Sequence, residues 1–411
     1  MQEPLSTTVQ RDTATSDDTG ISRDELKAAF SLGGIFGLRM LGLFMILPVF
    51  TLYAEKLQGN THLLAGIAIG AYGLTQAVLQ IPFGMLSDRI GRKPVIIGGL
   101  LIFALGSIIA ASADSIYGVI AGRAMQGMGA IAAAVTALLA DLTRERHRTK
   151  AMAIFGGAIG MSFTLALVLG PVLNNHIGVP GIFWLTAGLA IAAIAVTRFV
   201  VPQPRESHFH RDVEPIPALF GRVLRNRDLL RLDFGILSLH LLITASFVTL
   251  PLVLRDTVGM AAAQHWQLYL PVLLLSVATS LPFVYLADKR QQSKPLFLLA
   301  IGLIGLAELG LAGFHDSLWQ ITPLLFLFFS AFNLLEALLP ALVSRTAPQG
   351  SRGTAMGVYN SSQFLGAFLG GAIGGAVFGR YGAGGVFAGG ATLAFLWLAV
   401  AAGMKVPARR G

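Results

Sequence analysis

The 411-residue chain contains no cysteine, which excludes disulfides, thiol catalysis and cysteine-ligated metals. Charge is scarce: only 12% of residues are Asp, Glu, Lys or Arg, against about 25% in an ordinary soluble protein. The sequence has no H-E-x-x-H helix, no G-x-x-x-x-G-K-[ST] phosphate loop and no G-x-S-x-G elbow, so no familiar hydrolytic or nucleotide site is present. The histidines lack metal-ligand spacing, and the pair His208 and His210 reads as loop polarity. A signal peptide is also missing: residues 1–27 are polar, without an apolar core or small-residue cleavage site, and read as a disordered cytoplasmic tail.

What the chain has instead is hydrophobic length. Crossing about 30 Å of hydrocarbon takes about 20 apolar residues, and about twelve such runs occur, near 28–54, 63–86, 94–112, 115–140, 149–176, 179–200, 229–255, 266–287, 295–314, 318–345, 353–379 and 384–403. The expected fold class is an all-α membrane protein. A polar stretch at 201–228, with Pro202, Pro204, Pro215 and Pro217, separates six runs from six and reads as a cytoplasmic linker. This gives a tail (1–27), a six-helix bundle (28–200), the linker, a second bundle (229–403) and a short tail (404–411).

The formal charge of +9 is explained by topology. With a cytoplasmic N-terminus, all but five of the 30 Lys and Arg fall in the tails and inner loops; Lys56, Arg255 and Arg380 lie outside, and Arg39 and Arg123 within the membrane. That bias is the positive-inside pattern, and no nucleic-acid partner is implied.

The two halves echo each other. "RTKAMAIFGGAIG" from Arg148 aligns with "RGTAMGVYNSSQF" from Arg352, "SDRIGRKP" ending at Pro94 with "ADKRQQSKP" ending at Pro295, and Pro48 with Pro251, all at nearly one offset. Such parallel repeats are one way transporters are built.

The most distinctive stretch is "GMLSDRIGRKP", Gly84 to Pro94, a charged knot between two apolar runs. Gly91 permits a tight turn and Gly84 a close helix approach, while Asp88 can accept from arginines or from a helix N-terminus. Gly84, Asp88, Arg89, Gly91, Arg92 and Lys93 match the G-x-x-x-D-[RK]-x-G-[RK]-[RK] signature between helices 2 and 3 of the Major Facilitator Superfamily, which the chain resembles over nearly its whole length. "GRAMQGMGA" is similar to the family's fourth-helix R-x-x-Q-G pattern through Arg123, Gln126, Gly127 and Gly129. "LVLGPV" resembles the antiporter motif through Gly170 and Pro171, with Ala166, Leu173 and Asn174 where that motif has glycines. "LRMLGLFMILPVFTLYA" looks like the YajR-like branch of drug:proton antiporter-type members, whose extra C-terminal soluble domain is not expected here, since the chain ends at "MKVPARRG".

The resemblance implies twelve helices in two pseudo-symmetric six-helix bundles with cytoplasmic termini, in a bacterial inner membrane, acting as a monomer. It implies that Asp88 latches the halves together in the outward-open state; the partner expected here is the start of helix 11, near Gly353 to Gly357. Arg89, Arg92 and Lys93 either share in the latch or serve only as topology anchors.

Of the ionisable residues inside expected spans four stand out, Arg39, Arg123, His240 and Glu336, in the first, fourth, seventh and tenth. Each costs on the order of 2.5 to 3.5 kcal/mol at the membrane centre and is a functional candidate by default. The resemblance places those four helices around the central cavity. Glu336 is the leading proton-coupling candidate and His240 the second, because imidazole titrates near neutral pH; a fixed interhelical bond is the alternative for Glu336. Arg123 is assigned to organising the cavity or modulating the proton site rather than to binding substrate, and Arg39 and Gln126 to the cavity, its substrate or its coupling. Glu308 is expected to snorkel or pair structurally, and Asp141 to make a helix-end contact. Glycine ladders at Gly366, Gly370 and Gly374, at Gly371, Gly375 and Gly379, and at Gly156 and Gly160 are expected to bring helices close.

The function expected is proton-coupled efflux of small amphipathic compounds by alternating access, without a cofactor. Symport or uniport of a metabolite is the alternative, and a membrane enzyme or sensor a remote one. The expected partners are the small-molecule substrate, protons and the lipid bilayer.

Overall fold

The computed structural model describes residues 20–203, 216–289, 292–348 and 350–405. Lipid offers the backbone no hydrogen-bond partners, so an apolar run satisfies its amides by coiling on itself. The described residues accordingly form helices and no strand beyond one isolated bridge, Gln58 to Ser115. In chain order these are α1 (Arg23–Phe44), α2 (Phe50–Ala54), α3 (His62–Ile90), α4 (Arg92–Ala111), α5 (Ile116–Met128), α6 (Ala132–Asp141), α7 (Arg148–Phe199), α8 (Phe220–Leu224), α9 (Arg227–Asp256), α10 (His265–Lys289), α11 (Ser293–Gly313), α12 (Leu318–Thr346) and α13 (Arg352–Ala402).

Ten helical stretches among the described residues are long and apolar enough to cross a membrane, with α5 and α6 counted together. Two of them, α7 and α13, are each broken by a glycine in the left-handed region, Gly178 at φ 67° and Gly382 at φ 66°. The ten stretches therefore divide into twelve apolar segments, where the sequence puts the twelve spans.

Several boundaries differ from the sequence reading, and caps explain them. α1 begins at Arg23, inside the segment read as tail, because Ser22 and Glu25 form a reciprocal capping box. α9 begins at Arg227, inside the linker, because the Asn226 side chain accepts from the Asp228 and Leu229 amides. Of the linker, residues 204–215, with His208 and His210, lie outside the described residues, as do 1–19 of the tail. Ile216 donates its amide to Thr354 Oγ1, which ties the linker's end to the start of α13.

Two spans are discontinuous near their middles. α1 stops at Phe44, four residues before Pro48, whose ring excludes the i−4 carbonyl and which has no amide to donate; α2 resumes at Phe50. Pro251, its counterpart in the repeat, is accommodated inside α9. The fourth span breaks at 129–131, between α5 and α6.

Buried apolar side chains collect largely by half. One cluster runs from Val223 to Met404 with Leu167 crossing over, and two others lie in the first half with Val248 crossing back. The α13 glycines serve two different partners. A Cβ at Gly366, Gly370 or Gly374 would strike Leu237, Leu241 or Ala245 of α9, whereas one at Gly371 or Gly375 would strike Gly66 or His62 of α3. One ladder thus seats α13 in its own half and the other joins the two halves. The close approaches between α3 and α13 run from His62 to Gly73, at the end of α3 distant from the charged knot. At that same end Arg255 of α9 makes a two-pronged ion pair with Glu55, at 2.6 and 2.8 Å. The expectation for Gly156 and Gly160 is corrected: a Cβ at either would meet nothing within 4 Å, so they mediate no close approach in this conformation.

Candidate functional site

The charged knot is built on one glycine. Gly91 alone separates α3 from α4, at φ 96° and ψ 153°, a conformation that side chains with a Cβ resist. The turn brings Arg92 back over the end of α3, where it bonds Ser87 Oγ at 2.8 Å and the Asp88 carboxylate, and reaches Asp141 at the end of α6 at 3.4 Å. Arg92 is buried and joins the second, third and fourth spans; Asp141 makes the helix-end contact expected of it. Lys93 donates to the Val201 carbonyl at 2.6 Å, and Arg89 is exposed. Gly84 approaches Ala133 of α6. Asp88 is therefore engaged within its own knot in this conformation, while Thr354 at the start of α13 bonds Ile216.

Deeper in the first half lie the two arginines, 1% and 2% exposed. Arg39 donates from Nη2 to Gln76 Oε1 and to the Gly129 carbonyl, both at 2.9 Å. At the break between α5 and α6 the Gly129 carbonyl accepts from the Ile131 amide at 2.9 Å as well as from the guanidinium. Arg123 donates to the Ala68 and Ile69 carbonyls of α3 and, at 2.8 Å, to Gln126, which in turn donates to Ser107. Both guanidiniums lie over the Tyr72 ring, 5.4 and 5.5 Å from its centroid. The structure thus gathers Arg39, Arg123 and Gln126 into one network, extended by Gln76 and Gln80, with no carboxylate bonded to either arginine among the contacts described.

The second half carries the acids. Glu336 of α12 lies 3.7 Å from His240 Nε2 of α9, and Gln363 of α13 places its amide nitrogen 2.8 Å from the same imidazole atom. Glu336 is deep in its helix yet its side chain is 34% accessible, so it faces an open crevice, and its Oε1 has no hydrogen-bond partner. With the Gln363 amide donating, His240 Nε2 accepts and the ring is neutral; once protonated, Nε2 becomes a donor that can turn to Glu336. One turn from Glu336, Phe332 stacks on Phe163 of α7 at 5.8 Å, and Phe163 meets Phe44 of α1 edge-on at 5.0 Å. Aromatic rings from both halves therefore wall the space beside the carboxylate.

Gly170 packs on the Met45 carbonyl and the Pro48 ring, and Pro171 is buried beside it. These antiporter-like residues thus seat the fifth span against the break in the first. Glu308 does not snorkel: it is 1% exposed and accepts from Ser246 Oγ at 3.0 Å, the structural pairing that was the other expectation. The structure unites Glu336 with His240, and Arg39 with Arg123, but the two sets belong to separate networks.

Sequence reasoning missed Gln363, Tyr359 and Asp233. Asp233 is 6% exposed with neither carboxylate oxygen hydrogen-bonded. Its spacing of seven from His240 puts both on one helix face, but nothing in that spacing shows that the face is covered.

Comparison with known proteins gives the same picture. The Major Facilitator Superfamily profile matches residues 32–371 and 232–410. The inner membrane transport protein YajR of Escherichia coli is 50% identical over 391 residues, covering 95% of this chain and 86% of its own. The multidrug resistance protein MdtH of Aeromonas salmonicida is 26% identical, covering 80% and 81%. Among solved structures, a bacterial homolog of the human lysosomal transporter Spinster, inward-facing and occupied, superposes with a TM-score of 0.72 at 13% identity, covering 93% of this chain and 95% of its own, and shares the fold. The family consists of transporters rather than enzymes, and the YajR-like resemblance holds. On this evidence the chain belongs to the Major Facilitator Superfamily.

Proposed function

We propose that the protein is a proton-coupled secondary transporter that exports small amphipathic or lipophilic compounds by alternating access. The observation that carries this reading is Glu336 itself, a carboxyl deep in a membrane helix, reachable from the crevice, beside His240 and an aromatic wall shared by both halves. A carboxyl there can take a proton when the crevice faces one side and release it when it faces the other. The aromatic faces suit lipophilic substrates. The names of the relatives, one an inner membrane transport protein and one a multidrug resistance protein, support the location and the substrate class.

On this reading two six-helix bundles, 28–200 and 229–403, rock about the ladder of Gly371 and Gly375. The chain works as a monomer in the bacterial inner membrane with both termini cytoplasmic, and the proton gradient drives it without a cofactor. The structure's closed end, opposite the knot, is then the periplasmic one, and the Asp88 latch to helix 11 belongs to the other, outward-open state. Electrical potential adds about 2.3 kcal/mol per charge per 100 mV.

The test is efflux of a compound panel from cells carrying wild type or Glu336→Gln, with and without an uncoupler. The wild type is expected to export members of the panel in an uncoupler-sensitive way and the variant to lose that export. Full proton-driven export by Glu336→Gln would end the proposal. The incomplete motif around Gly170 and Pro171 favours a second reading, symport or uniport of a metabolite. Proton flux on adding substrate to vesicles of known orientation has opposite sign for antiport and symport.

A further inference from the structure

Asp233 is a buried acid without a hydrogen-bond partner that the proposed cycle leaves unused. It lies in α9, two helical turns or about 10 Å from His240 toward the knot end. An acid in that position is expensive unless it is protonated or paired, yet neither of its oxygens has a hydrogen-bond partner and it is 6% exposed. The charged groups nearest along its own helix, Asp228 and Arg231, are paired with each other at 2.8 Å, and Arg231 also donates to the Gly403 carbonyl. The helix packed across from it, α13, carries a buried phenol, Tyr359. Tyr359 and Gln363 are one turn apart on α13, just as Asp233 and His240 share a face of α9. Gln363 touches His240, which neighbours Glu336. The polar groups of these three helices therefore form a file that starts at Glu336 and His240 and ends at Asp233, nearer the water on the knot side.

We propose that Asp233 is a second proton-binding site, the station through which the coupling proton leaves Glu336 for the knot side. This rests on the proton-coupled reading above. In the transfer, the O–H of the Glu336 carboxyl breaks as the Tyr359 hydroxyl, over intervening water, gains a proton and, again over water, gives its own to the Asp233 carboxylate. The phenol ends as it began, Glu336 ends ionised and Asp233 ends protonated. Release to knot-side water then restores the Asp233 carboxylate for the next cycle. Without this station, the file would end at Glu336 and His240, two turns farther from that water.

Two measurements on the purified full-length chain in lipid decide it. Infrared pH titration reads protonated carboxyls directly and needs no substrate. A titrating carbonyl band is expected to vanish in Asp233→Asn, an isosteric change, and a different one in Glu336→Gln. An unchanged carboxyl spectrum in Asp233→Asn overturns the inference. In proteoliposomes with ethidium as probe, Asp233→Asn is expected to slow proton-gradient-driven transport by about tenfold or more while ethidium exchange without a gradient persists, and Asp233→Glu to restore part of the driven rate. Equal loss of both rates with no rescue by Glu, or no loss of either, assigns Asp233 a structural role and overturns the inference. Should wild type fail to couple ethidium to protons, the proposed function fails, and the infrared result still decides whether Asp233 takes a proton.

Discussion

Arg39 shows how a membrane charge is kept. Its Nη2 bonds Gln76 and the Gly129 carbonyl, and three aromatic rings lie within 5.7 Å of its guanidinium. Lysine has the charge, but its ammonium ends short of the Nη2 position and lacks the planar face that lies on those rings, so Arg39→Lys should leave at least one of those buried partners unpaired and cost about 1–3 kcal/mol. The readout is thermal unfolding in detergent, where an unchanged midpoint would show the clasp to be dispensable. At His240 the expected effect is on pH dependence: His240→Gln can still bond Gln363 but cannot change charge, so the pH profile of transport should flatten while substrate binding is kept. A profile identical to wild type would remove His240 from the coupling. Glu336 and His240 were legible because a lone charge in an apolar run stands out. Asp233 was not, because it is only six residues into its helix, where an acid normally reaches water. What hides it is the packing of α9 against α13, a matter of tertiary structure.

Among the helices, glycine decides where backbones meet. Gly91→Ala forces a Cβ into φ 96° and should cost about 1–2 kcal/mol, with the loss appearing as lower stability and a looser Arg92 contact to Asp141. Gly371→Leu would overlap the Gly66 carbonyl and should prevent the two halves from closing at the end opposite the knot, whereas Gly156→Leu meets open space and should be tolerated in this conformation. Comparing expression and protease sensitivity of the two variants checks this; equal damage would contradict it. The turn at Gly91 and the glycine ladders were readable from residue type and spacing alone. Which ladder faced α9 and which faced α3, and that Gly156 and Gly160 faced neither, was not. Spacing fixes a helix face, and only the neighbouring helices give that face a partner.

For the whole molecule, the absence of cysteine gives a clean background for locking one state. A Cβ built at Gly379 lies 3.5 Å from the His62 Cβ, within the range disulfides favour. The double variant His62→Cys, Gly379→Cys should oxidise readily, hold the end opposite the knot shut and stop transport, with recovery on reduction. Transport undiminished by oxidation would mean that this end need not open. Asp88→Asn leaves Arg92 with Ser87 and Asp141; on the latch reading it should shift the balance of states toward the conformation seen here, measurable as the rate at which that disulfide forms.

Sequence by itself determined the membrane class, the twelve apolar segments, the family and the charged knot, because lipid imposes length and apolarity residue by residue and a tight turn demands its glycine. The tertiary structure decided which charges meet. Glu336 with His240, Arg39 with a carbonyl at the break of a helix, and Asp233 alone are outcomes of helices packed side by side from distant parts of the chain, and no local pattern encodes which faces come together.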